Sequence, residues 1–147
     1  FINLKTMKKV LAIFAMISVI VWSCSKDQKV VKELEGDWIV SSQTLNGTPV
    51  PAAEYAGVKY NFTKCKVRKG DCDGTLTAPD STKGTLSTAF TYNIEDKGKV
   101  INIKFNLFGL IVETITGQIE EHSDSKFVYS YTEPGGNDKI VQTLTKN

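Results

Sequence analysis

The most constraining feature of the sequence is an alternation of apolar and polar residues that recurs along its second half. In the segment 101–107, every second position is isoleucine, phenylalanine or leucine, and the positions between them are asparagine or lysine. A similar two-residue period runs through 86–94 and 127–131. A β-strand places successive side chains on opposite faces with this period, one face buried and the other solvated. No segment after residue 36 keeps a helical period over several turns, so we expect an all-β body.

Turn-forming residues separate these runs and predict how the strands are joined. Glu95–Gly98 lies between two runs, and Pro134–Asn137 precedes the last one. Short turns of this kind connect neighbouring strands as antiparallel hairpins. About eight strands in a meander are what a small closed barrel requires, and we expect that fold, with a two-sheet β-sandwich as the alternative. The strands are predicted at 38–45, 59–67, 75–78, 85–94, 100–108, 111–120, 126–132 and 139–145.

The amino-terminal segment has a basic and then an apolar composition that differs from the strand pattern of the rest of the chain. Met7 is followed by Lys8 and Lys9 and then by an apolar run at 10–21. A basic start, an apolar stretch and a small residue before a cleavage point are typical of a secretory signal peptide. The run of about 12 residues is shorter than the roughly 20 that a membrane-spanning helix needs. We therefore predict that residues 1–23 are a signal peptide, with Met7 as the true start.

The end of this segment, Val21-Trp22-Ser23-Cys24, resembles the bacterial lipobox, in which an aliphatic and a small residue precede the cysteine that is lipidated. The resemblance implies that Cys24 is acylated and becomes the first mature residue. Several acyl chains anchor a protein stably where one is marginal. The expected location is the outer membrane, facing the periplasm or the cell surface. A plain secreted protein with an unmodified Cys24 is the alternative.

A short helix is predicted between this cysteine and the first strand. Val30, Val31 and Leu34 fall on one helical face, and Gly36 is placed to end the helix. The expected organisation is therefore a signal peptide at 1–23, a lipidated tether with a short helix at 24–35, and the barrel at 36–147.

The charge balance argues against nucleic acid as a partner. The chain has 18 Lys and Arg against 16 Asp and Glu, and 41% of its residues are apolar, as in a folded domain. Lys5, Lys8 and Lys9 lie in the predicted signal peptide, so 18 − 3 leaves 15 basic residues against 16 acidic ones. A mature chain near −1 has no electrostatic reason to bind nucleic acid.

The remaining cysteines are Cys65 and Cys72, an even pair in an exported chain. Disulfides persist in oxidising compartments, so we expect these two to be bonded to each other, with free thiols as the alternative. A zinc site needs about four ligands, and two thiols with one distant histidine fall short. No metal is therefore expected.

Candidate catalytic residues are few. His122 is the single histidine, and it lies in the polar stretch 120–124, which we interpret as a solvated turn. The Asp71-x-Asp73-Gly74 pattern hints at calcium, but Lys69 stands where a ligand is needed. Pro134–Asn137 lacks the lysine and the helix of a phosphate-binding loop. We expect no enzymatic activity and no cofactor.

The opening of the first predicted strand carries a family resemblance. Gly36-Asp37-Trp38 resembles the Gly-x-Trp signature of lipocalins. Together with Tyr60-x-Phe62-Thr63 and Tyr92-x-Ile94, it looks like the lipocalin-like lipoproteins of Gram-negative bacteria. The resemblance implies a meander barrel in which Trp38 packs at the closed end. In lipocalins an arginine from a late strand covers this tryptophan, but the one arginine of this sequence is Arg68, so the chain departs from the pattern there. In such barrels the interior is either filled or holds one small ligand.

These observations lead to a binding function. We expect a non-enzymatic envelope lipoprotein that binds a small apolar or amphipathic ligand inside its barrel. The predicted ligand-binding set comprises the inward aromatic residues Trp38, Tyr60, Phe62, Phe90, Tyr92, Phe105, Phe127, Tyr129 and Tyr131. The alternative is a surface interaction module or inhibitor with a solid core, which binds an envelope protein or polysaccharide. Its candidate regions are the loop Gly47–Gly57 and the basic hairpin of Lys64, Lys66, Arg68 and Lys69.

Overall fold

Strands dominate the chain after a short amino-terminal helix. A computed structural model describes residues 26–67, 70–82 and 84–147. The predicted signal peptide, Cys24, Arg68 and Lys69 lie outside the described residues. Within the described ranges, the helices are α1 (26–34) and α2 (Ala52–Tyr55). The strands are β1 (Gly36–Leu45), β2 (Thr48–Pro49), β3 (Lys59–Phe62), β4 (Cys72–Asp80), β5 (Gly84–Glu95), β6 (Val100–Leu107), β7 (Leu110–His122), β8 (Lys126–Thr132) and β9 (Lys139–Lys146).

Eight of these strands form a closed antiparallel barrel. Strands β1 and β3 to β9 pair in the order in which they occur along the chain, and β9 returns to pair with β1. The closing ladder is long, running from Trp38 opposite Lys146 to Leu45 opposite Ile140. The small strand β2 pairs only with the far end of β1. The predicted meander barrel is confirmed, and the sandwich alternative is not what the chain adopts.

The meander gives the barrel two different ends. Strands β1, β4, β6 and β8 run in one direction and β3, β5, β7 and β9 return. We call the end at which β1 begins, against which α1 packs, the closed end. The turns 96–99 and 123–125 lie at this end, as does the connection between β3 and β4. The open end carries the turns 46–47, 108–109 and 133–138 and the connection between β4 and β5.

Helix α1 plugs the closed end with its apolar face. Val30, Val31 and Leu34 are all buried, as the helical pattern predicts. The indole nitrogen of Trp38 donates a 2.7 Å hydrogen bond to the Leu34 carbonyl oxygen, which the end of the helix leaves without an intrahelical partner. The Lys146 ammonium, from the last strand, lies 5.2 Å from the centre of the Trp38 ring. A lysine from the last strand thus lies over the tryptophan where lipocalins place an arginine.

Polar contacts attach α1 to three regions of the barrel. The Gln28 amide donates to the Cys65 carbonyl oxygen and accepts from the Val67 backbone nitrogen. The backbone nitrogen of Gly98 donates to the Asp27 carboxylate over 2.6 Å. These contacts hold the amino-terminal half of the helix against two connections at the closed end.

His122 supplies the third attachment, and its predicted role was wrong. It is the last residue of β7, not part of a solvated turn, and its ring Nδ1 contacts the Glu33 carboxylate of α1. Both side chains are partly buried. The error has a physical reason, because sequence alone does not show that a helix about 90 residues earlier packs beside this strand end.

The loop after β3 also differs from the prediction. Strand β3 ends at Phe62, so the exposed Lys64 and Lys66 lie in an irregular segment and not in the strand predicted at 59–67. Cys65 in this segment forms a disulfide with Cys72, the first residue of β4, which confirms the predicted pairing. The disulfide therefore fixes the connection that Gln28 of α1 contacts.

Candidate functional site at the open end of the barrel

The barrel interior has two layers that differ in exposure. The deep layer lies near the closed end and is sealed: Trp38, Phe62 and Tyr92 are at most 1% exposed. The upper layer lies closer to the open end and is slightly accessible, with Tyr60 at 5% and Gln142 at 7%. Several interior residues near the open end are therefore slightly more accessible than those near the closed end. The upper layer comprises Tyr60, Phe105, Ile115, Tyr129, Tyr131 and Gln142.

Aromatic rings fill the deep layer by direct contact. Phe62 lies 5.0 Å from Tyr92 and 5.5 Å from Phe90, measured between ring centroids, and both pairs are edge-to-face. Such geometry is the favoured one for aromatic pairs. Gly74 makes room for this packing, because a Cβ at that position would lie 2.2 Å from the Phe90 ring. The deep aromatic residues are therefore packed against one another.

A hydrogen-bond network crosses the upper layer. The Tyr129 hydroxyl donates to Gln142 Oε1 over 2.7 Å, and the Tyr60 hydroxyl donates to the same oxygen over 3.2 Å. Gln142 Nε2 donates in turn to Gln43 Oε1 at 3.0 Å. One glutamine thus serves both tyrosines, and the network forms the polar floor of the open end.

Burial perturbs the tyrosines of this layer. Burial is the main reason why the pKa of Tyr60 and the pKa of Tyr129 are raised above the ordinary phenol value. The pKa of the partly buried Tyr131 is also raised, by burial first and then by the charges of nearby groups that include Glu113 and Glu133. All three phenols are neutral at physiological pH, so they act as hydrogen-bonding groups and not as charges.

Two carboxylates stand above this floor. Glu113 pairs with the inward Phe105 across β6 and β7, which places it on the interior face of the sheet. It is exposed, whereas Ile115 two residues further along β7 is buried. Within the part of the chain that the structure describes, neither Glu113 nor Glu133 has an ion-pair partner. The rim beside Tyr60 and Tyr131 is therefore negatively charged.

The structure divides the predicted ligand-binding residues between the two layers. Tyr60, Phe105, Tyr129 and Tyr131 belong to the upper layer. The deep layer holds the remaining members of the set, Trp38, Phe62, Phe90, Tyr92 and Phe127. Gln142 was not among the predicted residues, although a signal for it exists in the sequence: this polar residue alternates with the apolar Ile140 and Leu144 along β9. A polar side chain on an apolar strand face indicates a buried hydrogen-bond network.

The Tyr92 hydroxyl differs from those of Tyr60 and Tyr129, because it has no hydrogen-bond partner among the described residues. It is also buried. Burial raises the pKa of Tyr92, with smaller effects from the charges of Glu35 and Asp73. A buried hydroxyl without a partner weakens the folded state, and its location in the deep layer places it away from the accessible floor.

The described residues contain neither a metal-ligand cluster nor a helix able to span a membrane. No group of three or more His, Cys, Asp or Glu side chains that could hold a metal ion occurs in 26–67, 70–82 and 84–147. Among the helices of that same part of the chain, none has the length and apolar character needed to cross a membrane.

Solved structures share this architecture. A lipocalin-like protein from Bacteroides uniformis superposes with a TM-score of 0.56 and 18% identity, over 78% of this chain and 99% of its own. A redesigned β-barrel superposes with a TM-score of 0.55 and 17% identity, over 80% of this chain and 95% of its own. No protein-family profile and no curated protein sequence matches the chain. The likeness establishes a lipocalin-like barrel fold.

Proposed function

We propose that this chain is a non-enzymatic lipoprotein of the cell envelope that binds one small apolar or amphipathic ligand at the open end of its barrel. The observation that supports the proposal is the slightly exposed upper layer, in which aromatic side chains surround a polar floor. Sites for small ligands combine apolar walls with a few placed polar groups, as here. The deep layer supports this floor from below.

The upper layer defines the contacts that a ligand would make. Phe105 and Tyr131 offer apolar ring surface, and Tyr60 and Tyr129 offer hydroxyl groups held by Gln142. An apolar chain lying on the rings, with its polar group near the network or the carboxylate rim, would satisfy both kinds of surface. The ligand-binding set is thereby narrowed to the upper layer, and the deep aromatic residues take a structural role.

The proposed anchor fits the same orientation. Cys24 precedes α1 by two residues, and α1 packs at the closed end. A lipid on Cys24 would hold the closed end near the outer membrane and leave the open end directed away from it, toward the periplasm or the outside. Metabolic labelling with a palmitate analogue tests this step, and loss of the label in Cys24→Ser is the expected result.

Ligand binding is tested with the chain from residue 25 onward, which lacks Cys24 but contains the whole barrel and its plug. Native mass spectrometry of the purified protein shows whether a small molecule is retained. Titration with the neutral probe N-phenyl-1-naphthylamine measures binding directly. Tyr131→Ala is expected to weaken probe binding on the order of tenfold, the effect of removing one buried aromatic contact.

A control variant altered outside the barrel shows whether probe binding depends on the interior site. Val128 lies on β8 between the inward Phe127 and Tyr129, so its side chain points outward, and Val128→Ala shortens an apolar side chain outside the barrel. Probe binding is expected to survive in this variant. The proposed ligand function would be contradicted if the native mass spectrum shows only the mass of the protein and the unaltered protein shows no saturable probe binding.

The packed deep layer favours a second candidate function. Rings in direct contact leave a solid lower core, as expected for an interaction module that works through its loops. The loop Gly47–Gly57 lies at the open end and contains α2, whereas Lys64 and Lys66 lie at the closed end. Capture of a partner from envelope extract that is lost on substitution of Glu54 and Tyr55, with probe binding unchanged, would favour this function.

A further inference from the structure

The turn between β6 and β7 has an unusual residue at its tip. Phe108 and Gly109 have φ angles of 51° and 82°, both in the left-handed region. A two-residue hairpin of this kind normally takes Asn-Gly, and a bulky residue in the left-handed region is uncommon. The hairpin between β1 and β2 follows the rule, since Asn46 and Gly47 adopt nearly the same angles, 49° and 83°. A phenylalanine therefore occupies a position that local conformation would assign to asparagine.

This phenylalanine is also almost fully exposed to solvent. Phe108 is 97% exposed, and the residues that follow Gly109 on β7 are exposed as well. Phe108 thus breaks the usual residue preference of this turn without gaining any buried contact. Positions that break a local preference in this way are expected to be functional. Other large apolar side chains of the described residues are exposed too, and all of them lie near the open end, either in the open-end half of a strand or in the β6–β7 turn. Together with Phe108, the set comprises Leu45, Leu86, Leu107, Leu110, Ile111 and Val112.

The tip is apolar on both faces of the hairpin. Leu107 pairs with Leu110, so their side chains share one face. Ile111 pairs with Asn106 and lies on the opposite face. No charged residue occurs between Phe105 and Glu113. A protein partner would cover one face of so narrow a hairpin, and a stable protein interface needs about 800 Å² from each partner. A hydrocarbon surface surrounds both faces at once.

The backbone of the tip is paired across the hairpin. Leu107 and Leu110 are opposite each other, so the backbone groups that face each other between these two strands are satisfied, which lowers the cost of entering lipid.

We propose that the β6–β7 hairpin tip inserts into the surface of a neutral phospholipid bilayer and brings the open end of the barrel against it. Phe108 is the leading residue, with Leu110 and Ile111 following. Charge gives the tip no attraction to anionic lipid, since no charged residue lies between Phe105 and Glu113 and Glu113 itself is acidic. Binding is therefore expected to be insensitive to salt and to gain nothing from anionic lipid.

The inference stands apart from the proposed function, because it needs neither a ligand nor an acyl chain. A lipid on Cys24 would engage a membrane at the closed end, whereas the tip would meet lipid at the open end. The chain from residue 25 onward, which lacks the anchor, isolates the effect of the tip.

The experiment is flotation of this protein with phosphatidylcholine vesicles, with and without phosphatidylglycerol. The unaltered protein is expected to float with pure phosphatidylcholine. Phe108→Asn is expected to weaken binding on the order of tenfold to a hundredfold, which corresponds to loss of one buried aromatic side chain. Because asparagine suits the turn, the melting temperature of this variant should equal or exceed that of the unaltered protein.

A second variant moves the phenylalanine to the other hairpin. Phe108→Asn combined with Asn46→Phe keeps the composition, and the expected result is that binding is not restored. Full binding by this variant would show that any exposed ring suffices and would overturn the proposal. So would the absence of flotation at millimolar lipid. A dimer in sedimentation velocity that Phe108→Asn converts to monomer would assign the tip to a second copy of the chain instead.

Discussion

The Tyr129 hydroxyl donates a 2.7 Å hydrogen bond to Gln142 Oε1 across neighbouring strands of the barrel. Tyr129 is 1% exposed and Gln142 is 7% exposed, so Gln142 is the more accessible of these two residues of the upper layer. The contact therefore holds together the polar floor of the candidate binding surface.

The first prediction compares two buried tyrosines. Tyr129→Phe should lower the free energy of unfolding by about 1 kcal/mol, because a satisfied hydrogen bond is lost. Tyr92→Phe should leave it unchanged or raise it, because the Tyr92 hydroxyl has no partner among the described residues. Urea denaturation of both variants measures the difference. A larger loss in Tyr92→Phe than in Tyr129→Phe would contradict the network described above.

The second prediction concerns alkaline pH. Burial raises the pKa of Tyr60, Tyr92, Tyr129 and Tyr131 in the folded state. A raised folded pKa contributes stability that is present below the unfolded value of about 10 and is lost as pH rises through the folded pKa. These four phenols should therefore ionise together with unfolding.

Absorbance at 295 nm, compared with circular dichroism during the same titration, measures this coupling. In guanidinium all five tyrosines should titrate together near the unfolded value. Ionisation of the four buried phenols near pH 10 with the fold intact would contradict their burial.

The third prediction tests α1 as the plug of the closed end. Leu34→Ala should destabilise the protein by about 2 to 5 kcal/mol, the range for truncating a fully buried leucine. Trp38 is the single tryptophan after the predicted signal peptide, so its fluorescence reports on this end. A red shift of its emission is expected in Leu34→Ala. Lys32→Ala, an exposed position on the same helix, should change neither property.

The fourth prediction concerns the disulfide. Replacing Cys65 and Cys72 together by serine should lower the free energy of unfolding by about 2.5 kcal/mol, as expected for so short a loop in the chain-entropy model. The barrel should remain folded, because the core lies elsewhere. Thermal denaturation followed by circular dichroism checks both statements, and an unchanged stability would show that the bond adds no constraint to the unfolded chain.

Sequence reasoning succeeded where one strand face is buried and the other is wet. The alternation in β5, β6 and β8 predicted the inward residues, because burial in a sheet repeats every second residue. It also predicted the apolar face of α1, where Val30, Val31 and Leu34 share one side of the helix. These patterns are local, so the sequence shows them directly.

The features that were missed depend on contacts between distant parts of the chain. The role of His122 requires α1 to lie beside the end of β7. The division of the aromatic residues into two layers depends on the tilt and stagger of the strands, which alternation does not encode. The exposure of Phe108 depends on strand pairing that the sequence does not show, because β7 pairs with β8 only from Gly117 onward and the part of the hairpin before it has no β8 neighbour.

The most direct test of the central claim is a nuclear magnetic resonance titration of the protein from residue 25 onward with a small amphipathic ligand. Amide shifts should change for the upper layer, with Tyr60, Phe105 and Gln142 affected, whereas residues 26–34 of α1 should not respond. Saturable changes confined to that layer are the predicted result. Shifts at the closed end or on the outer surface, or no shifts at millimolar ligand, would contradict binding at the open end of the barrel.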